Sequence, residues 1–460
     1  MQQNQSVEAF GYRQELRRSL SLTDLLVYGL VYISPTAPIA VFGIVFNASK
    51  GMVPLIYLVG LMAMVFTAFS YMAMSKVYPV AGSVYAYASR SISPAAGFFA
   101  GWAILLDYLL LPALAIIAAA IAVHAVLPVV PAWVWVVSLV VLGTIVNYFG
   151  IEATARANMV LLVFQMVVLV IFAGAAVLGL MQGTAHAHLS TRPFYDPATI
   201  DPAIVFGAVS LGALSYLGFD AISTLSEEAR DGSRAVSRAT ILSLILAAAL
   251  FVAQTWLASL FVLDTKAFAN GDAANSAFYD ISQTIGGYGL KLVVAVAGIL
   301  FGAIASALSA QAATARLLYG MARDGKLPAF LARVHPERKV PEGAVFVVAL
   351  ITLAIGLLLV SQFDLITSIV CFGALIGFMV VNLCVPIRFW RDPQRSWLKH
   401  IVSPALGFLI TGYVLWNAEL NAKEVGLGWL AVGAAFFFVL RWMGKSTDLP
   451  ADMPVEPPPL

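Results

Sequence analysis

Two aspartates lie where a carboxylate is expensive. Asp107 sits in GWAILLDYLLLP and Asp220 in SYLGFDAISTL, each well inside a long apolar run. A carboxylate at membrane depth by default marks an ion or substrate pathway; the plainer account is a protonated carboxyl, bonded to nearby backbone, that only holds helices together. Their neighbours favour the first. Tyr108, Tyr216 and Phe219 offer ring faces to a cation. Ser215 and Gly218 put polar and flexible residues into the run that holds Asp220, and Gly207 and Gly212 weaken it further. Backbone opened at that depth must find partners in protein or in a water-filled cavity, because lipid offers none. A second interruption, Tyr32-Ile33-Ser34-Pro35-Thr36-Ala37-Pro38, carries two prolines. Each removes an amide donor and crowds the preceding turn.

The elements that hold these residues follow from composition. The 460-residue chain is 61% hydrophobic and 11% charged, against about 25% charged in soluble domains. It therefore reads as an all-α polytopic membrane protein. Its net charge of +2 argues against nucleic acid as a partner; the lipid bilayer is the expected one. Runs of bilayer length, about 20 residues, number twelve: 22–47, 53–76, 94–124, 131–149, 157–181, 203–227, 239–263, 290–318, 343–361, 364–388, 400–418 and 426–443. Ser21 to Asp24 forms a capping box for the first. The polar first twenty residues, with Arg13, Arg17 and Arg18, differ from a cleavable signal, so the first helix is expected to be retained. Long outer loops are expected near 182–202 and 264–289, and an amphipathic segment at 83–93 on the inner side.

Basic residues orient the chain. With the N-terminus inside, Arg13, Arg17, Arg18, Lys76, Arg90, Arg316, Arg323, Arg388 and most others fall on the cytoplasmic side, and only Lys50, Arg192, Lys266, Lys291 and Lys423 outside. That asymmetry matches the positive-inside rule and places both termini in the cytoplasm, with a bacterial inner membrane the expected location. The division is a cytoplasmic segment 1–21, spans one to five at 22–181, spans six to ten at 203–388, two more at 400–443, and a proline-rich, disordered tail 444–460. No metal site is expected from His124, His186 and His188, and no cofactor is implied. Cys371 and Cys384 read as packing residues; Gln165, Gln254, Gln311 and Asn382 read as interhelical glue.

One proline often merely kinks a membrane helix. Here the interrupted runs are the first and the sixth, so each opens a five-span half. Breaks at corresponding positions of two halves point to the binding site of an inverted-repeat transporter. Counted from Gly97, a rise of 1.5 Å per residue places Asp107 roughly 15 Å deep, near the bilayer midplane. The expected substrate site is therefore Ile33, Ser34, Thr36, Ala37, Asp107, Tyr108, Ser215, Tyr216, Phe219 and Asp220. Glu227 and Glu228 stand at the cytoplasmic edge as a gate.

Several stretches resemble the amino acid–polyamine–organocation transporter superfamily. Pro79-Val80-Ala81-Gly82-Ser83-Val84-Tyr85-Ala86-Tyr87 is similar to its P-x-A-G-S-x-Y-x-Y stretch, and Gly150 through Asn158 to its entry to the fifth span. Leu217-Gly218-Phe219-Asp220 with Glu227-Glu228, and Ala315 through Gly325, resemble two further signatures. The likeness covers residues 15 to 445 and is greatest to bacterial putrescine importers. It implies a LeuT-like five-plus-five inverted repeat with two added C-terminal helices, alternating access and ion-coupled uptake of an amine. Where amino acid permeases resembling this chain hold the substrate carboxylate on backbone amides of span one, Pro35 and Pro38 cannot donate. Gln165 aligns with a lysine that stands in for sodium in some proton-coupled relatives. Since glutamine does not titrate, proton coupling is expected to fall to Asp220.

The expected function is secondary import of putrescine or a similar small amine, with H⁺ as coupling ion. The alternative is an amino acid permease of the same superfamily. A channel would not need paired breaks, and an enzyme would need a catalytic constellation that is not evident. Oligomeric state is left open by the sequence.

Overall fold

A computed structural model describes residues 7–127, 129–269, 271–359, 363–418 and 420–443, which excludes the expected tail 444–460. Its helices are α1 (Leu22–Ile33), α2 (Ala37–Ser49), α3 (Val53–Val77), α4 (Ser83–Ser91), α5 (Pro94–Val126), α6 (Ala132–Tyr148), α7 (Ile151–Met181) and α8 (Pro202–Leu214). They continue with α9 (Gly232–Ser259), α10 (Asp272–Ala295), α11 (Gly302–Arg323), α12 (Glu342–Leu358), α13 (Phe363–Phe389), α14 (Ser403–Trp416) and α15 (Leu420–Trp442). Among the described residues, strand pairing is confined to an isolated bridge between Leu20 and Ala229. Among the described residues eight helices are long and apolar enough to cross a membrane. The pair α1–α2, bent by 44°, makes a ninth span, and α6 and α12 are shorter apolar helices. The chain is a multi-pass, all-helical membrane protein.

Local chemistry explains the starts and the breaks. Ser21 and Asp24 cap α1 reciprocally, Ser21 N donating to Asp24 Oδ2 at 2.9 Å and Asp24 N to Ser21 Oγ at 3.2 Å. α1 stops at Ser34, whose φ of 64° is left-handed, and Pro38 in the first turn of α2 tolerates its missing N–H there. Span six breaks at Gly218, whose φ is 112° and whose Cβ position would lie 2.1 Å from the Tyr32 ring. Any side chain there would strain the backbone and collide with the other break. From Phe219 to Leu225 the chain runs as a tight 3₁₀ turn.

Three expectations need correction. The stretch 264–289 is not simply a loop: α10 begins at Asp272, and Ala274, Ala277, Phe278 and Ile281, spaced as one helical face, are buried. The run was too short and too polar to register as a span. The segment 83–93 is not amphipathic along most of its length. Ser83 to Arg90 are all buried, because α4 lies between α5, α13 and the 3₁₀ turn of span six. Finally, α7 and α9 start at Ile151 and Gly232, earlier than hydropathy suggested. Hydropathy reads membrane thickness, whereas a helix continues through Glu, Arg and Ala, which favour it.

Candidate functional site

The break of span one is bonded by side chains of two other helices and by one of its own. Gln254 of α9 donates to the Pro35 carbonyl at 2.8 Å, and Ser306 of α11 to the Tyr32 carbonyl at 3.0 Å. Thr36 Oγ1 donates to the Gly298 carbonyl at 3.1 Å and lies 3.2 Å from Ser34 Oγ. Gly302 permits this approach, since a Cβ there would stand 2.7 Å from Thr36 Oγ1. Gln254 is glue, as is Asn382, which ties α13 to Ser70 and Thr67 of α3. Gln165 differs in bonding only within its own helix, to the Leu161 carbonyl, and its Oε1, buried without a hydrogen-bond partner, faces the Gly302 region.

Beside this break the two aspartates lie within electrostatic reach of each other and of Tyr32. Tyr108 donates its hydroxyl to Asp220 Oδ2 at 2.8 Å, and Thr314 Oγ1 bonds to the Tyr108 carbonyl. Asp107 and Asp220 are both buried and within electrostatic reach of one another. Asp107 Oδ1 and the Tyr32 hydroxyl have no hydrogen-bond partner, and Tyr32 lies within reach of both carboxylates. Gly373 of α13 allows close packing here, since a Cβ there would stand 2.9 Å from the Asp107 backbone nitrogen. A buried carboxylate oxygen with no partner is several kcal/mol, in order of magnitude, from its preferred state. A cation or a proton would relieve it.

A cavity of about 200 Å³ lies on the α2 side of the break. Ser34, Thr36 and Ala37 line it, with Leu111, Leu114, Ala115 and Ala118 of α5, Tyr279 of α10, and Gly298 and Ser306. Asp107 does not line it. It precedes Leu111 by four residues on the same face of α5, so its carboxylate lies one turn below the cavity wall.

The structure thus brings Ser34, Thr36, Ala37, Asp107, Tyr108 and Asp220 to one region, with Ile33 buried at its edge. Ser215 and Tyr216 turn elsewhere. The Tyr216 hydroxyl donates to the Tyr57 carbonyl at 2.8 Å, its ring packs on Phe251, and Ser215 Oγ is 3.3 Å from the Tyr57 hydroxyl. Their side chains fix the break to α3 and α9 rather than facing the aspartates. Phe219 packs between Tyr71 and Phe378.

On the opposite side of the break, toward the N-terminus, buried ion pairs tie the chain together. Glu228 forms a two-pronged ion pair with Arg316, both buried. Glu227 pairs with Arg323 at 2.8 Å and also accepts from the Ala81 amide at 2.8 Å. The N-terminal segment lies across these pairs. Ser19 and Leu20 amides donate to the Glu228 carbonyl at 3.0 Å, and Gln14 donates to the Glu227 carbonyl at 3.0 Å. The Tyr12 hydroxyl donates to Asp324 at 2.7 Å and accepts from Arg90 at 2.7 Å, while Arg323 lies 3.6 Å from the Tyr12 ring centre. Burial, the chief influence, pushes the Tyr12 phenol up to about 12.

Sequence reasoning counted Arg90, Arg316 and Arg323 as loop charges; Arg90 and Arg316 are in fact buried and Arg323 nearly so. It also passed over Tyr32, Ser306 and the N-terminal segment. Apolar residues at Val7, Phe10, Tyr12, Leu16 and Leu20 were a usable signal for that segment, since all are buried. Among the described residues no group of His, Cys, Asp and Glu is arranged to hold a metal.

A family model described as amino acid permease matches residues 32–419. The low-affinity putrescine importer PlaP of Escherichia coli (strain K12) is 36% identical over 436 residues, covering 92% of this chain and 94% of that protein. The branched-chain amino acid permease BcaP of Lactococcus lactis subsp. cremoris is 28% identical over 409 residues, covering 83% and 85%. The methylthioribose transporter of Bacillus subtilis is 23% identical over 466 residues, covering 95% and 96%. The chain belongs to the amino acid permease family.

Proposed function

We propose that this permease imports putrescine or a similarly small amine by alternating access, coupled to protons. The observation that carries the proposal is Asp107, a buried carboxylate whose Oδ1 has no partner, one turn below a cavity at the break of span one. An ammonium group supplies the missing donor and charge. Asp220, bonded to Tyr108, takes a second ammonium or a proton. Such a dication needs two separated acceptors. Pro35 and Pro38 deprive the break of amide donors that a carboxylate would use. The 36% identity to a putrescine importer points the same way. The 28% identity to a branched-chain amino acid permease favours the second reading, an amino acid permease.

We read the helices as twelve spans, a five-plus-five inverted repeat with α14 and α15 added, in a bacterial inner membrane. The N-terminal face is cytoplasmic by the charge asymmetry. On that orientation Glu227 and Glu228 close the cytoplasmic gate, and the cavity lies on the outer side of the break. The deciding experiment is uptake of labelled putrescine into proteoliposomes under an imposed proton gradient, with amines and neutral amino acids as competitors. Gradient-driven putrescine uptake that other small amines inhibit and leucine does not is the expected result. Leucine uptake unaffected by putrescine would overturn the amine proposal.

A further inference from the structure

Four cations at the N-terminal face take no part in the gate. Lys76 stands in the last turn of α3, Arg234 and Arg238 in the first turns of α9, and Lys399 in the π-helical turn Leu398–Val402 that leads into α14. The hydrogen bond between Ser75 and Ser237, at 3.1 Å, sets the ends of α3 and α9 side by side. The ring of His400 stacks on Phe389 at 4.0 Å and fixes the π-helical turn, and α14 packs along α3. All four side chains belong to exposed residues. None takes part in the ion pairs among the described residues. The charges that act on Lys76 are those of Lys399, Arg234 and Arg238, with no carboxylate among them. Arg234 also sits in the first turn of a helix, where the backbone dipole disfavours a cation.

An apolar strip continues from each cation toward the membrane. On α3, Phe69 and Met62 lie seven and fourteen residues before Lys76, on its face of the helix, and both are exposed. On α9 exposed Leu242 follows Arg238 by one turn, and exposed Val402, which ends the π-helical turn, and Leu406 of α14 follow Lys399. Trp390 and Trp397, also exposed, stand near Lys399 in sequence and have the chemistry of interfacial anchors. Positive charge at the helix ends, with exposed apolar strips running on from it, matches the polarity of one amphiphile.

We propose that the inner ends of α3, α9 and α14 form a binding site for an anionic phospholipid, its phosphate on Lys76, Arg234, Arg238 and Lys399 and its acyl chains along Phe69, Leu242 and Val402. Each cation near a membrane surface strengthens attraction to anionic lipid, and four around one phosphate also relieve their mutual repulsion. The site is separate from the substrate region and does not depend on which solute is carried.

The test uses the full-length protein, purified in detergent and stripped of lipid. Cardiolipin, phosphatidylglycerol, phosphatidylcholine and inorganic phosphate are added in turn, and bound lipid is read by native mass spectrometry. The wild type is expected to bind the two anionic lipids at least about tenfold more tightly than phosphatidylcholine. Combined Lys76→Gln, Arg234→Gln, Arg238→Gln and Lys399→Gln substitution is expected to reduce that preference to less than about twofold. Should that variant not fold, photo-crosslinking of an anionic lipid to the unaltered protein replaces it, with crosslinks expected on α3, α9 and α14. An unchanged preference in the variant, crosslinks confined to other helices, or inorganic phosphate competing as well as lipid would each overturn the proposal.

Discussion

The two sides of the span-one break are closed by different chemistry. Toward the N-terminus, closure rests on charge: Glu228 with Arg316, Glu227 with Arg323, and Tyr12 between Arg90 and Asp324. Toward α2 it rests on packing. Phe42 meets Phe278 and Phe46 meets Phe268 edge-on, at 5.6 and 5.0 Å, and Asn47 bonds to the Phe268 backbone at 2.9 and 2.8 Å. The cavity lies on that second side. Packed rings slide and re-form in small steps. A buried ion pair is all or nothing, since separating it leaves uncompensated charge. On the proposed alternating-access reading, the N-terminal face opens only when something compensates those charges, and the α2 face responds to the solute itself.

The largest effect that would break this comparison is expected at Arg316. Arg316→Ala leaves Glu228 buried and unpaired, which costs roughly 3–5 kcal/mol. The N-terminal face should open or the protein destabilise, read as a lower melting temperature and faster labelling of cysteines introduced near Glu228. An unaltered melting curve with unaltered labelling would mean that the pair closes nothing.

Next come the aspartates, on the border between the two sides. Asp107→Asn removes the charge and is expected to weaken putrescine binding at least about tenfold, as loss of a charged hydrogen bond worth about 1.5–3 kcal/mol implies. Asp220→Asn keeps much of the shape that Tyr108 bonds to, yet should stop or uncouple transport. Its pH dependence, measured as uptake at a series of external pH values, should flatten. Wild-type pH dependence in that variant would assign proton handling elsewhere.

A smaller effect is expected at Tyr12. Tyr12→Phe removes the hydroxyl shared by Arg90 and Asp324, about 1 kcal/mol of closure, read as a few-fold rise in cysteine labelling on the N-terminal face. Because the folded phenol is pushed up to about 12, from about 10 when exposed, its contribution is intact below about pH 10. It is lost as pH rises toward about 12. Labelling in the wild type should therefore not vary on account of Tyr12 near neutral pH. The smallest effect is at Thr36. Thr36→Val loses the bond to the Gly298 carbonyl, and interhelical bonds of this kind average about 0.6 kcal/mol, a two- to threefold change in apparent affinity.

The sequence disclosed this architecture unevenly. Asp107, Asp220 and the two breaks were legible because membrane depth makes a polar group or a proline conspicuous. Ser21 and Asp24 announced the start of α1 because a capping box is local. What was not legible depended on distant partners. Arg316 and Arg323 lie in a sequence that looks like a positively charged helix end, and only folding brings Glu228 and Glu227 to them. Tyr216 seemed to face the solute because it adjoins Gly218; its direction was decided by Tyr57 and Phe251. α10 escaped notice because its apolar face covers α2 rather than spanning a bilayer.

The most direct test places a single cysteine at Ala118, on the cavity wall, in a chain whose native Cys371 and Cys384 are buried. Its alkylation by a membrane-impermeant reagent is followed from each side, with and without putrescine. Labelling from the side opposite the N-terminus, slowed by putrescine but not when Asp107 is also changed to Asn, is the predicted result. Labelling only from the N-terminal side, or protection by leucine with none from putrescine, would contradict the account.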